Sequence, residues 1–194
     1  MPAILGTLDF TWTDEAACEV SAQALAGSPE LADACVQLQG PLGAGKTTFV
    51  RHLLRALGVS GRVRSPTYTV LEPYRAGALE VSHFDFYRFS DPREWEDAGF
   101  REVFGRPGLK LVEWASRAGE LLPPPDLRLT LEPGLQEERQ VRAEALSPVG
   151  LQLLQALREA APPGRQGSDR NDRGDGHDKS QGGAGEHTPQ AAPG

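Results

Sequence analysis

The stretch "GPLGAGKTT", residues 40–48, constrains this chain more than any other. An apolar run, "CVQL", precedes it, and Phe49, Val50, Leu53, Leu54 and Leu57 recur after it at helical spacing until Gly58. Gly40, Gly45, Lys46 and Thr47 therefore satisfy G-x-x-x-x-G-K-[ST] in the strand, loop and helix setting that the pattern requires. Glycines admit backbone conformations that a Cβ forbids, so successive N–H groups can turn inward while the N-terminal end of the helix adds positive potential. The stretch is expected to cradle phosphates with Gly40, Leu42, Gly43, Ala44, Gly45, Lys46, Thr47 and Thr48. Lys46 is expected to reach the β- and γ-phosphates of a nucleotide, and the Thr47 hydroxyl to help hold Mg²⁺. The competing reading is a merely structural glycine turn.

The rest of the chain supplies strands and helices in alternation. A helix is predicted over 14–26, with Thr13 as its N-cap and Gly27 as its stop, and a short strand over 35–38. The glycine loop then feeds a helix over 46–57. "YTVLEPY" and "LEVSHFDF" flank a turn at Ala76 and Gly77 and read as a hairpin. Asp91, Pro92 and Glu94 form a capping-box start for a short helix, and "LKLVEW" is an apolar strand that ends on an acid. Strands over 127–131 and 141–146 follow, and Ser147 with Pro148 opens a last helix to 158. This order predicts a P-loop α/β fold of three layers, α/β/α, with a mixed, mostly parallel sheet.

Length fits one domain: of 194 residues, 39% are hydrophobic, enough for a core over 1–160. From 161 to 194 there is no aromatic residue and nothing aliphatic larger than alanine, so that segment cannot offset chain entropy and reads as a disordered tail. A formal charge of -7 opposes unaided binding to a phosphate backbone, so any nucleic acid is expected only through a partner. No apolar run approaches a membrane span, and the N-terminal stretch with Asp9 and Asp14 does not read as a secretion signal; a cytoplasmic protein is expected. Cys18 and Cys35 lack a C-x-x-C companion and read as buried free thiols, while His52, His177 and His187 show no ligand spacing.

A phosphate loop needs a further acid for its metal, usually at the end of a neighbouring strand. Asp85 after "VSHF" and Glu113 after "LKLV" compete for that place. Strand alternation puts Val81, His83 and Asp85 on one face, so His83 either orients that acid or simply packs. Ser65 and Thr67 bracket Pro66 in "RVRSPTYTV", which is either a γ-phosphate sensor or a polar strand entry.

Taken together and in this order, "GPLGAGKTTF", "SPTYTVLEPY", "HFDFYRFSDPREWEDAGF" and "LVEW" resemble the TsaE family, small bacterial ATPases of tRNA threonylcarbamoyladenosine formation. The likeness covers about residues 10–146 and leaves the tail aside. It implies an Mg²⁺-dependent ATPase with ATP as substrate, slow alone and stimulated by partners, cycling as a switch with the proteins TsaD and TsaB. Those partners install the threonylcarbamoyl group on the adenosine beside the anticodon, so tRNA is met only through the complex. The resemblance makes Thr47 and Glu113 the metal ligands and Lys46 the phosphate lysine. It gives Asp85 a role in turnover and makes Ser65, Pro66 and Thr67 a switch-like element; Trp114 follows the metal acid, and Asp14 or Glu15 approaches the base. Pro41 stands where many relatives carry Asp, at a position that contributes backbone.

Three other readings stay open at this level. A small-molecule kinase shares the loop but needs an acceptor site and usually an arginine-bearing lid, for which no insertion is visible. A GTPase generally reads guanine with N-K-x-D, which does not occur here. A nucleotide-dependent binding module without turnover would use the loop only to order a surface. Arg62, Arg64 and Arg88 are available to the phosphates, though none announces itself as a finger.

Overall fold

Leu8, Phe10 and Trp12 alternate with polar residues, and this period of two builds strand β1 (Gly6–Trp12). A computed structural model describes residues 3–161. Strand β1, which has no counterpart among the expected elements, leads into helix α1 (Glu15–Ala26). That helix is capped by Asp14 rather than Thr13: the Asp14 carboxylate accepts from the Ala17 N–H at 2.8 Å. A charged acceptor also complements the positive end of the helix. A 3₁₀ turn (Pro29–Asp33) precedes strand β2 (Cys35–Gln39), which runs into the glycine loop, and helix α2 (Lys46–Ala56) leaves it.

Strands β3 (Leu71–Ala76) and β4 (Leu79–Asp85) form the expected hairpin. Residues 68–70, read as part of its first strand, lie outside it. The Val70 N–H bonds to the Pro66 carbonyl at 2.7 Å, and Val70 itself has φ 64°, which no extended strand accommodates. Helix α3 (Pro92–Asp97) has the capping box formed by Asp91 and Glu94. Helix α4 (Phe100–Gly105), strand β5 (Leu109–Glu113), helix α5 (Ala115–Ala118) and a 3₁₀ turn (Gly119–Leu121) follow. Strands β6 (Leu127–Pro133) and β7 (Arg139–Ala145) then lead to helix α6 (Pro148–Ala160), capped by Ser147.

The strands form one seven-stranded sheet in the order β1-β7-β6-β2-β5-β4-β3. The four central strands, β6, β2, β5 and β4, run parallel, as expected, and the three outer pairs are antiparallel. Register places Glu113 beside Leu38 on one side and beside Asp85 on the other. The carboxyl ends of β2, β5 and β4 thus open at one edge, where ligands of parallel sheets collect.

Two apolar cores sandwich the parallel strands. On one face Val36, Leu38, Leu111, Leu129 and Leu131 pack with Leu25 of α1, Phe49 and Leu53 of α2, and Leu153 and Leu157 of α6. On the other face Phe84 and Val112 meet Phe86, Phe89, Trp95 and Phe100 from the α3–α4 region. Each fully buried side chain of this kind contributes about 1.5–3 kcal/mol. The Phe84 ring stacks on Phe86 at 5.6 Å and on Phe104 at 4.7 Å. Over β6 and β7 the second face instead carries Thr130, Arg142 and Glu144, so the third layer stops short of that half of the sheet.

Cys18 and Cys35 are free thiols, and burial pushes both up to about 12. Apart from residue 161, the expected tail lies outside the described residues, as do His177 and His187. No helix among the described residues is long and apolar enough to cross a membrane.

Candidate nucleotide site

The loop between β2 and α2 has the backbone that its glycines permit. Gly40, Gly43 and Gly45 have φ of 139°, 78° and 103°. At Gly40 the neighbours also forbid a side chain, because a Cβ there would run into the backbone carbonyl oxygen of Leu131. Lys46 opens α2, and its ammonium donates to the carbonyls of Gly40 at 2.8 Å and Pro41 at 2.9 Å. It also lies 4.1 Å over the Trp114 ring. Burial lowers the Lys46 pKa, while the negative charges of Glu113 and Asp85 act in the opposite direction.

Glu113 and Asp85, neighbours across β5 and β4, are both buried and have separate partners. The Thr47 hydroxyl donates to Glu113, 2.9 Å from Oε1 and 3.1 Å from Oε2. Oε1 also accepts from His83 Nε2 at 2.9 Å, so His83 serves Glu113 and not Asp85, the acid that strand alternation paired with it. Asp85 Oδ2 accepts from Ser65 Oγ at 2.6 Å and Thr67 Oγ1 at 2.9 Å, and Oδ1 accepts from the Tyr87 N–H at 2.9 Å. The hydroxyls flanking Pro66 are therefore tied to an acid. Trp114, at φ 57°, turns the chain out of β5 and sets its ring 5.0 Å from that of Tyr87.

These groups line one cleft of about 340 Å³ that joins the loop, the Ser65–Thr67 pair, both acids and Trp114. Tyr87, in the turn just past the end of β4, also lines it, a place for which the sequence carries no local signal. Beyond Ala44, Gly45 and Thr48 a second hollow is lined by Trp12, Asp14, Glu15, Cys18, Glu137 and Arg139. Glu15 thus lies beside the loop but outside the cleft, held by His52 Nε2 at 2.9 Å. Arg139 Nε donates to the Ala44 carbonyl at 3.0 Å, a tie with no local sequence signal because sheet order alone brings β7 there. Of the candidate arginines, Arg88 sits over the Tyr68 ring at 4.5 Å. No arginine lines the cleft among the described residues.

The donor set suits a hard divalent cation. A hydroxyl and a carboxylate converge within 2.9–3.1 Å at the start of α2. Oxygen ligands of this kind match Mg²⁺, which takes one or two protein groups and completes its shell with phosphate and water.

A family model described as "Threonylcarbamoyl adenosine biosynthesis protein TsaE" matches residues 12–141. The tRNA threonylcarbamoyladenosine biosynthesis protein TsaE of Haemophilus influenzae is 36% identical over 122 residues, 63% of this chain and 77% of that protein. Its namesake from Bacillus subtilis is 40% identical over 109 residues, 56% of this chain and 68% of that protein. The crystal structure of Bacillus subtilis YdiB superposes with a TM-score of 0.64 at 26% identity, covering 81% of this chain and 97% of that one. With the family model spanning the loop, both acids and the hydroxyl pair, the chain belongs to the TsaE family.

Proposed function

We propose that this protein binds and hydrolyses Mg²⁺-ATP at the glycine loop, as the ATPase component of tRNA threonylcarbamoyladenosine biosynthesis. TsaD and TsaB are its protein partners in this reading, and tRNA is reached only through their complex. The observation that carries it is the convergence of Lys46, Thr47, Asp85 and Glu113 on one cleft at the carboxyl edge of the parallel strands.

Thr47 and Glu113 would hold the cation, whose charge would offset the negative charge on the β- and γ-phosphates of bound ATP. Lys46 exchanges the Gly40 and Pro41 carbonyls for phosphate oxygens and neutralises the charge that grows on them as the terminal group departs. A carboxylate offers about four acceptor directions. Ser65, Thr67 and Tyr87 take three of those on Asp85, and the remaining one orients the attacking water. The water oxygen bonds to the γ-phosphorus as the bond to the bridging oxygen breaks, giving ADP and free phosphate. With no arginine lining the cleft among the described residues, turnover alone is slow in this reading, and the partner complex accelerates it.

Phosphate release from the full chain, alone and with TsaD, TsaB and tRNA, tests this reading. Release that is slow alone, rises with the partners and disappears in Lys46→Ala is the expected result. Wild-type protein that binds ATP and releases no phosphate in any combination would make the chain a nucleotide-dependent binding module instead.

A further inference from the structure

His83 has no part in the chemistry above, yet it is fully buried beside the acid assigned to the metal. Its Nε2 lies 2.9 Å from Glu113 Oε1, whereas its Nδ1 has no hydrogen-bond partner among the described residues. A carboxylate oxygen accepts, so Nε2–H is the donor in this pair. Packing alone does not account for this ring. Leucine would fill similar space between Val81 and Leu111 without stranding a polar atom, and buried polar groups without partners are rare.

The two oxygens of Glu113 are used unequally. Oε1 is shared by His83 and Thr47, while Oε2 has only the Thr47 hydroxyl at 3.1 Å. We propose that His83 is a positioning residue: by holding Oε1 it fixes the rotation of the Glu113 carboxylate and presents Oε2, beside Thr47, to the divalent cation. This inference rests on the Mg²⁺-ATP reading above. Outer-shell donors of this kind orient a ligand, and their loss typically weakens metal binding about 10–100-fold.

The test is calorimetric titration of ADP into full-length protein over a range of Mg²⁺ concentrations and in EDTA, for wild type, His83→Gln, His83→Asn and His83→Leu. A glutamine amide reaches the place of Nε2, whereas an asparagine amide falls short of it. Wild type and His83→Gln should half-saturate within about threefold of the same Mg²⁺ concentration, with the Asn and Leu variants needing about tenfold more or beyond. All four should bind ADP alike in EDTA, a readout that a general loss of structure would move. Should His83→Leu fail to fold, the contrast between the two amides decides. Asn and Gln variants with the wild-type Mg²⁺ requirement, or an equal loss of Mg²⁺-free affinity in every variant, would overturn the positioning role and leave the ATPase reading standing. A wild-type protein whose nucleotide affinity ignores Mg²⁺ would overturn that reading, and this inference with it.

Discussion

Replacing Asp85 by Asn tests the tie between the acid and residues 65–70. The wild-type carboxylate receives three donors, from Ser65, Thr67 and the Tyr87 N–H. A hydrogen bond to a charged group is worth about 1.5–3 kcal/mol against about 1 kcal/mol for a neutral one, so removing the charge costs about 1 kcal/mol per bond, or about 3 kcal/mol in all. The amide adds a mismatch, because with its oxygen toward Ser65 and Thr67 its NH₂ meets the Tyr87 N–H. Val70 keeps its φ of 64°, because the bonds that hold it, to Pro66 and from Asp85, are backbone ones that the substitution leaves in place, so a loss of about 3 kcal/mol is expected. At roughly 2–4 °C per kcal/mol for a domain of this size, the melting temperature should fall by about 6–12 °C. Thermal melting checks the magnitude, and hydrogen exchange should show residues 65–70 losing protection ahead of the rest. A melting temperature within about 2 °C of wild type, with unchanged exchange there, would refute the tether.

Three other outcomes follow from the same geometry. Gly40→Ala forces a Cβ into the Leu131 carbonyl at φ 139° and should weaken calorimetric ATP affinity by about tenfold or more, since a positive-φ clash costs roughly 1–3 kcal/mol; unaltered affinity would contradict the loop structure. In a background with Trp12→Phe and Trp95→Phe, Mg²⁺-ATP should change Trp114 fluorescence as Lys46 leaves its ring; a flat titration at saturating nucleotide would argue that the lysine stays. Cys18 and Cys35, pushed up to about 12 by burial, should resist a thiol reagent at neutral pH until the chain is unfolded. Unfolded thiols ionise near ~8.5, below the folded values, so this contribution to stability is intact below that pH and shrinks as the pH climbs toward 12. Denaturant melts at successive pH values above neutrality check the sign.

Local signals in the sequence reached far into this site because the chemistry is concentrated in short stretches. Glycine, lysine and threonine at fixed spacing imposed the loop, and Asp91, Pro92 and Glu94 imposed a capped helix, as found. The pairing of His83 with Glu113 was hidden, because it depends on which strand lies next to β4, and strand order is not a local property. The same holds for Arg139, which meets Ala44 across 95 positions of sequence. Strand β1 is different: the alternation of Leu8, Phe10 and Trp12 is a local signal, though the run is short and lies ahead of the first expected helix. At Val70 the sequence misled, since the run Tyr68, Thr69, Val70 reads as strand, and only the bonds from Val70 to Pro66 and from Asp85 to Val70 favour the turn.

The parallel pairing of β4 with β5 has a consequence on the far side of the sheet. Phe84 and Val112, facing the aromatic core, are one residue away from Asp85 and Glu113 and register with each other as the two acids do. A strand shifted by a single step would carry its acid through to the wrong side, so the aromatic cluster works as a clamp on the phase of the two acids that line the cleft. Lesions in that cluster should therefore misplace the two acids before they unfold the chain.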